Sequence, residues 1–135
     1  MLICATVKNS PSSHEVEVRT GEVAQSLSVR AKATARGSSI NGGEFFMLAL
    51  ATCYCNDLFR EAARLGIPVT AAEVEANAEF PGIGLAATNI RYQAKIESPA
   101  SPDQVARLLR ETDAVAEVHN TVRAGVQVEL VTLVG

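Results

Sequence analysis

The longest apolar run in the chain covers residues 45–55 and is followed by a stretch in which polar residues recur at helical spacing. Leu, Met, Ala and Phe, without an internal Gly or Pro, favour a helix over a strand at this length. Asn41 or Ser39 can cap its start, and Gly66 marks its end. The pattern therefore predicts a helix roughly 33 Å long over residues 44–65.

The two halves of this helix differ in polarity. Its first three turns are apolar on all sides, which predicts burial on every side. In the second half, Leu58, Phe59, Ala62 and Leu65 are expected to face a core. The opposite face is a polar stripe, expected at the surface, made of Asn56, Asp57, Arg60, Glu61 and Arg64.

Alternation of apolar and polar positions predicts strands on both sides of the helix. Three precede it, two follow it and one ends the chain: residues 2–7, 15–19, 26–32, 73–80, 90–97 and 126–134. In each hairpin one strand carries acids and the other carries bases. We therefore expect cross-strand pairs, as between Glu15 or Glu17 and Arg30 or Lys32.

Two further helices are predicted between the last two strands. Residues 101–104 form a capping box with Pro at the first helical position. Asp113 or Thr112 can cap the third helix, whose apolar face is Val115, Val118 and Val122. The order βββ-α-ββ-αα-β predicts a single α+β domain over residues 1–135, with antiparallel sheets packed on one long central helix.

Composition limits the partners of this domain. In a chain of 135 residues, 47% apolar content can build a core, whereas a net charge of -3 with 12 unclustered basic residues argues against nucleic acid. The uncharged stretch 45–56 is shorter than the roughly 20 residues of a membrane span. Three cysteines without a secretion signal predict a cytoplasmic location. A helix that is apolar all round, in so short a chain, predicts a homodimer.

Cys53 is the candidate nucleophile. A thiolate is the reactive form, and a neighbouring cation is needed to lower the thiol pKa; Arg30 is our candidate and Arg36 the alternative. Both arginines could instead be solvated charges, and Cys53 could be an inert core residue. Glu44 begins the helix about 13 Å from Cys53 and on the opposite face, so it must act through an arginine or from a partner subunit. Alternatively, Glu44 only satisfies the helix dipole.

Other chemistry is poorly supported. The glycine-rich loop 36–43 leads into the helix N-terminus but lacks a phosphate-binding fingerprint, so it is interpreted as a positioning loop. Cys53 and Cys55 diverge on a helix and the chain has only two histidines, so no metal is expected. His119 is predicted at the surface, and no Ser-His-Asp triad or cofactor is expected.

Several segments resemble the OsmC/Ohr family. The likeness lies in Glu44 opening the helix, in the Leu-Ala-Leu-Ala-Thr-Cys segment that ends at Cys53, in the strand 89–91, and in residues 103–109 and 118–122. It extends over about residues 14–132, and its most specific part is the helix around the cysteine.

The resemblance implies a fold and an activity. It implies an intertwined homodimer with the two long helices central and the active sites at the subunit interface. It also implies thiol-dependent reduction of organic hydroperoxides by a peroxidatic Cys, a resolving Cys, a Glu and an Arg. Cys53 occupies the peroxidatic position, and Glu44 lies near the family's helix-opening Glu.

The chain departs from the family at the resolving cysteine, because Ala116 occupies that position. Cys55 cannot replace it, since positions two apart on a helix point about 160° apart; the distance of Cys4 from Cys53 stays open. The sequence thus predicts a peroxidase in which an external thiol or dithiol resolves oxidised Cys53. The alternative is a catalytically degenerate protein that binds an apolar small molecule in the interface pocket.

Overall fold

The computed structural model describes residues 1–132 and divides the chain into two compact units, Met1–Phe45 and the part from Phe46 onward. Its antiparallel sheets and helices give the α+β class that the sequence predicts. The elements in chain order are β1 (Ile3–Ser10), β2 (Ser13–Thr20), β3 (Val23–Leu27), α1 (Gly42–Leu65), β4 (Ala71–Glu79), β5 (Thr88–Glu97), α2 (Pro102–Val115) and α3 (Glu117–Ala124).

The first unit contains an antiparallel sheet in the order β1-β2-β3. Its third strand begins and ends earlier than the predicted 26–32, so Arg30 and Lys32 lie outside it. Glu17 therefore faces Ser26 instead of a base, and the predicted ion pairs between β2 and β3 are wrong. The tight turn at Gly21, with a φ of 57°, decides this register because hairpin pairing starts from the turn.

Helix α1 begins and ends almost where the sequence predicts. The side-chain oxygen of Asn41 accepts a hydrogen bond from the Glu44 backbone N–H, with 2.7 Å between oxygen and nitrogen. In return, the Glu44 carboxylate accepts a hydrogen bond from the Asn41 backbone N–H at 3.0 Å. This reciprocal pair satisfies amides that the first helical turn leaves without partners. Gly66 stops the helix with a φ of 68°, a conformation that glycine adopts without a steric penalty.

The second unit packs the hairpin β4-β5 and helix α2 around the later turns of α1. Its core consists of Tyr54, Leu58, Ala62, Ile67 and Leu108. The two strands alternate as predicted, with Glu73 opposite Lys95 on the exposed face. None of the helices in residues 1–132 has the length and apolarity that crossing a membrane requires.

The burial pattern of α1 differs from the prediction. Asp57 and Glu61, assigned to the surface stripe, are buried, whereas Phe59 is 45% exposed and Leu48 is 56% exposed. Residues 54, 58 and 62, one per helical turn, pack into the core. Asp57 and Glu61 directly precede residues 58 and 62, so they lie at the edge of this buried face. Arginines on the exposed side neutralise both acids, with Arg60 2.8 Å from Asp57 and Arg64 3.0 Å from Glu61.

Helix α2 has the predicted capping box between Ser101 and Gln104. It continues to Val115, so Ala116 takes the N-cap position of α3 and the predicted caps Asp113 and Thr112 are wrong. The hydroxyl of Thr112 is buried and donates to the Leu108 carbonyl within α2, which leaves it unable to cap the next helix.

The C-terminal strand is also not formed where the structure describes it. Residues 126–132 have no strand conformation, and the remaining residues of the predicted strand, 133–134, lie outside the described residues. Val128 is 97% exposed. The alternating pattern alone does not make a strand, because a strand also needs a neighbour to receive its backbone hydrogen bonds.

Candidate functional site

Cys53 lies at the middle of α1, in the second unit, and is partly exposed. Its Sγ is 3.7 Å from Oδ2 of Asp57 and 3.7 Å from Oε2 of Glu117. Asp57 reaches the sulfur because residues four apart lie on the same face of a helix. Glu117 reaches it from the first turn of α3. The thiol is therefore enclosed by two carboxyl groups.

The two carboxyl groups share a hydrogen bond and differ in their surroundings. Burial, followed by the bond to Glu117, raises the pKa of Asp57, although Arg60 opposes this shift. The exposed Glu117 receives a hydrogen bond from its own backbone and one from Asp57, which lower its pKa. The two pKa values are therefore shifted in opposite directions, and Glu117 gives up its proton more readily than Asp57 does.

The electrostatics of this group disfavour a preformed thiolate. Burial is the largest cause that raises the pKa of Cys53, and the charges of Asp57 and Glu117 raise it further. A hydrogen bond from the Val118 backbone, at the start of α3, acts in the opposite direction without reversing the shift. Cys53 is therefore held as a thiol whose proton points toward carboxylate oxygens.

The other predicted site residues lie in the first unit. Glu44 forms the cap of α1 with Asn41, and Arg36 donates to Asn9 at 2.8 Å. Arg30 lies between β3 and α1, outside both elements. Among the described residues, the charged side chains in contact with the Cys53 sulfur are the acids Asp57 and Glu117. A catalytic role for Glu44 and Arg30 stays a prediction.

Sequence reasoning missed both acids. The spacing of Asp57, four residues after Cys53, indicates that both lie on the same face of the helix. The sequence pattern nevertheless placed Asp57 in the polar surface stripe. No local pattern links Glu117 to Cys53, because the two are 64 residues apart. Only the packing of α3 against α1 brings them together.

His119 is the second residue that the sequence misplaced, because it is 4% exposed and not at the surface. Its ring packs against Tyr92 at 4.5 Å and Tyr54 at 6.0 Å between ring centroids. Neither ring nitrogen has a hydrogen-bond partner within residues 1–132. Burial lowers the pKa of His119, so its imidazole is neutral.

The three cysteines are free. Cys4 belongs to the first unit, where its sulfur accepts a hydrogen bond from Arg19 at 3.6 Å. Ala116, which the sequence analysis predicts to stand at the resolving position, is 0% exposed and directly precedes Glu117.

A metal ion could use Cys53, Asp57 and Glu117, whose potential ligand atoms all lie within 4.8 Å of one another. This set differs from the Cys53–Cys55 pair that was considered in the sequence. Arg60 already pairs with Asp57 at 2.8 Å and supplies a positive charge to this group.

Fold and site together define an α+β protein in which a cysteine at the middle of the long helix α1 faces the start of α3. The family model described as "OsmC-like protein" matches residues 35–131. The chain therefore belongs to the OsmC-like family, as its sequence segments indicated. No curated protein matches it in sequence.

Solved structures agree on the fold. An OsmC-like protein from Mycoplasma pneumoniae is 18% identical over 91% of this chain and 88% of that chain, with a TM-score of 0.68. An organic hydroperoxide resistance protein from Elizabethkingia anophelis is 16% identical over 91% and 89%, with a TM-score of 0.62. The organic hydroperoxide resistance protein OsmC from Legionella pneumophila is 14% identical over 89% of each chain, with a TM-score of 0.58. At these identities the likeness concerns the fold alone.

Proposed function

We propose that this protein is a thiol-dependent peroxidase that reduces organic hydroperoxides through Cys53. Membership of the OsmC-like family, together with neighbours named for hydroperoxide resistance, supports a general redox role in peroxide resistance. The observation that carries the finer proposal is the partly exposed Cys53 thiol at the centre of α1, hydrogen-bonded to Glu117 at 3.7 Å. A reachable thiol beside a proton acceptor has the minimum equipment for attack on a peroxide.

The catalytic cycle differs from a two-cysteine cycle. Cys53 attacks the peroxide, becomes a sulfenic acid and releases an alcohol. An external thiol or dithiol then condenses with the sulfenic acid and releases water, because Ala116 offers no second sulfur. A second equivalent of thiol returns Cys53 to its reduced form.

The substrate class follows from the apolar surroundings on α1. Phe46, two turns before Cys53 and on the same face of the helix, is half-buried, so part of it remains exposed. An alkyl or aryl hydroperoxide gains free energy by burying hydrocarbon against such side chains, at roughly 25 cal/mol per Å². Hydrogen peroxide has no hydrocarbon to bury, so organic hydroperoxides should react faster.

The proposed working form is a homodimer in the cytoplasm. Large apolar side chains of α1, Leu48 and Phe59, are exposed in the single chain, and a second copy would cover them. Glu44 and Arg30 enter the proposed site in this assembly. The three free cysteines agree with a reducing compartment.

The test is sulfenic acid formation at a single cysteine. One equivalent of cumene hydroperoxide should oxidise Cys53 to a form that dimedone labels, as mapped by mass spectrometry. Cys53→Ser should abolish labelling, whereas the matched control Cys55→Ser should leave it nearly unchanged, since the two side chains point to different faces. Equal labelling of both cysteines, no faster than free cysteine, would instead indicate a fold retained for binding.

A further inference from the structure

The Cys53 sulfur lies against a carboxylate that has no counterion among residues 1–132. Oε2 of Glu117 is 3.7 Å from Sγ, and no Lys or Arg side chain in this part of the chain forms an ion pair with Glu117. Glu117 is exposed, so its carboxyl group is ionised at neutral pH. A molecule that approaches the sulfur therefore approaches a negative charge.

The other charges assigned to this site compensate one another. Asp57, whose Oδ2 is also 3.7 Å from the sulfur, forms an ion pair with Arg60 at 2.8 Å. In the proposed homodimer, Arg30 and Glu44 enter the site with opposite charges. Within the described residues and this proposed assembly, the charge that is left over is that of Glu117.

An external reductant must come close to this charge, because Ala116 supplies no second sulfur. The thiolate of the reductant attacks the Cys53 sulfur, which brings any group two or three bonds from the thiolate close to Glu117. A carboxylate in that place is repelled and an ammonium group is attracted. Contacts between like charges are a common means of excluding a wrong partner.

We propose that Glu117 selects the reductant of oxidised Cys53 by charge. Neutral and cationic small thiols reduce the oxidised cysteine, whereas thiols that carry a carboxylate react slowly. This inference rests on the proposed peroxidase function and names the class of its second substrate. It makes Glu117 a specificity-determining residue beside the reacting sulfur.

The reduction balances in atoms and electrons. The electron pair of the external thiolate forms an S–S bond with Cys53, and the S–O bond of the sulfenic acid breaks. The hydroxide leaves with the electron pair of that bond and takes up the thiol proton, which gives water. A second thiolate attacks the external sulfur of the mixed disulfide, so that the Cys53 thiol is restored. The two small thiols leave oxidised, as a disulfide.

The first test of charge selection needs no peroxide. Iodoacetamide and iodoacetate alkylate the same Cys53 thiolate, but only iodoacetate carries a carboxylate. The ratio of their rate constants is therefore independent of the amount of thiolate, and it is measured at Cys53 by mass spectrometry. We expect the preference of wild type for iodoacetamide to fall roughly 3-fold or more in Glu117→Gln and to persist in Glu117→Asp, which keeps the charge.

Two controls are available in the same chain. The sulfur of Cys4 accepts a hydrogen bond from Arg19 at 3.6 Å, so a cation lies beside it, and its alkylation ratio should be the same in all variants. Glu75→Gln removes an acid from the exposed face of β4 and should leave the ratio at Cys53 unchanged. High salt should reduce the preference at Cys53, because mobile ions screen exposed charges.

The second test measures the proposed reductants directly. Cys53 of each variant is oxidised with one equivalent of tert-butyl hydroperoxide. The decay of its sulfenic acid is then followed with cysteamine, β-mercaptoethanol or mercaptoacetate, which carry an ammonium, a hydroxyl and a carboxylate group. The ratio of the rate constants for cysteamine and mercaptoacetate should fall roughly 5-fold or more from wild type to Glu117→Gln. Comparing this ratio between variants cancels the intrinsic reactivities of the thiols.

The outcomes separate the two proposals. A wild-type alkylation ratio in Glu117→Gln, or an unchanged ratio of cysteamine to mercaptoacetate, would overturn charge selection. If Cys53 still forms a sulfenic acid in that case, the peroxidase function stands. Wild-type Cys53 that no alkyl hydroperoxide oxidises would overturn the function, and the selection of a reductant with it. Glu117 is exposed, so its variants should fold.

Discussion

Packing shifts the pKa values of individual side chains in this protein away from those of their residue types. Asp57 and Glu117 are both acids, yet burial raises the pKa of the first, and a hydrogen bond from its own backbone lowers the pKa of the second. Burial raises the pKa of Cys53, and the charges of Asp57 and Glu117 add to that shift. His119 shows the principle most simply, since a buried imidazole without hydrogen-bond partners among the described residues favours its neutral form.

His119 predicts how stability changes with pH. Its pKa in the fold is lowered from about 6.5, so the unfolded chain binds the proton more readily. The contribution of the neutral His119 imidazole to the free energy of unfolding is therefore fully present above about pH 6.5. It is lost as the pH falls below that value. Urea unfolding between about pH 7.5 and about pH 5.5 should show this loss, at no more than about 1.4 kcal/mol per pH unit for one proton.

A substitution isolates the contribution of His119. Phe in its place keeps an aromatic ring against Tyr54 and Tyr92 but does not titrate. His119→Phe should flatten the pH dependence, and His14→Gln, which changes the other histidine, should retain the wild-type loss. The same slope in wild type and His119→Phe would contradict the assignment.

At the scale of elements, the junction of α2 and α3 determines which side chains meet α1. The end of α2 at Val115 places Ala116 at the N-cap of α3 and turns Glu117 toward Cys53. A sulfur at position 116 would lie next to a residue that already contacts Cys53. We therefore predict that a second cysteine at this junction would take part in the reaction of Cys53.

Ala116→Cys should convert the protein to an intramolecular two-cysteine cycle. After one equivalent of alkyl hydroperoxide, dimedone labelling of Cys53 should disappear, and a disulfide between positions 53 and 116 should be found by mass spectrometry. Ala116 is fully buried, so the larger side chain should cost about 1–3 kcal/mol of stability. Ala116→Ser controls for size without sulfur, and persistent labelling of Cys53 in Ala116→Cys would show that the family positions do not carry over.

At the scale of the whole molecule, the single chain leaves much apolar surface uncovered. Leu48 and Phe59 on α1 are exposed, although the sequence pattern predicts burial for both, and Val128 beyond α3 is exposed as well. Exposed apolar side chains of this size commonly mark a surface that another subunit covers. The proposed homodimer provides such a subunit.

Sedimentation at micromolar concentration should therefore give twice the 14.3 kDa mass of the chain. Leu48→Glu should shift the protein toward monomer or destabilise it, because a charge cannot be buried there without a partner. Ile83→Glu, at the exposed tip of the β4-β5 hairpin, is the matched control and should stay dimeric. A stable, folded 14.3 kDa wild-type species would refute the homodimer.

The sequence by itself determined the features that depend on local interactions. The Asn41 cap of α1, the capping box of α2, the stop of α1 at Gly66, the β4-β5 hairpin and the α+β class follow from near neighbours in the chain. The segments around Cys53 indicated the family that the family model confirms. Local hydrogen bonds and side-chain periodicity depend on a few consecutive residues, and these predictions are therefore confirmed.

Only the tertiary structure decided which residues surround Cys53. The burial of Asp57 and His119, the approach of Glu117 from 64 residues away, and the failure of residues 126–132 to form a strand all depend on which elements pack together. The local sequence around a polar helix residue does not distinguish a side chain that faces solvent from one that faces another helix. The free energy that buries it, and the pKa that results, come from partners distant in the chain.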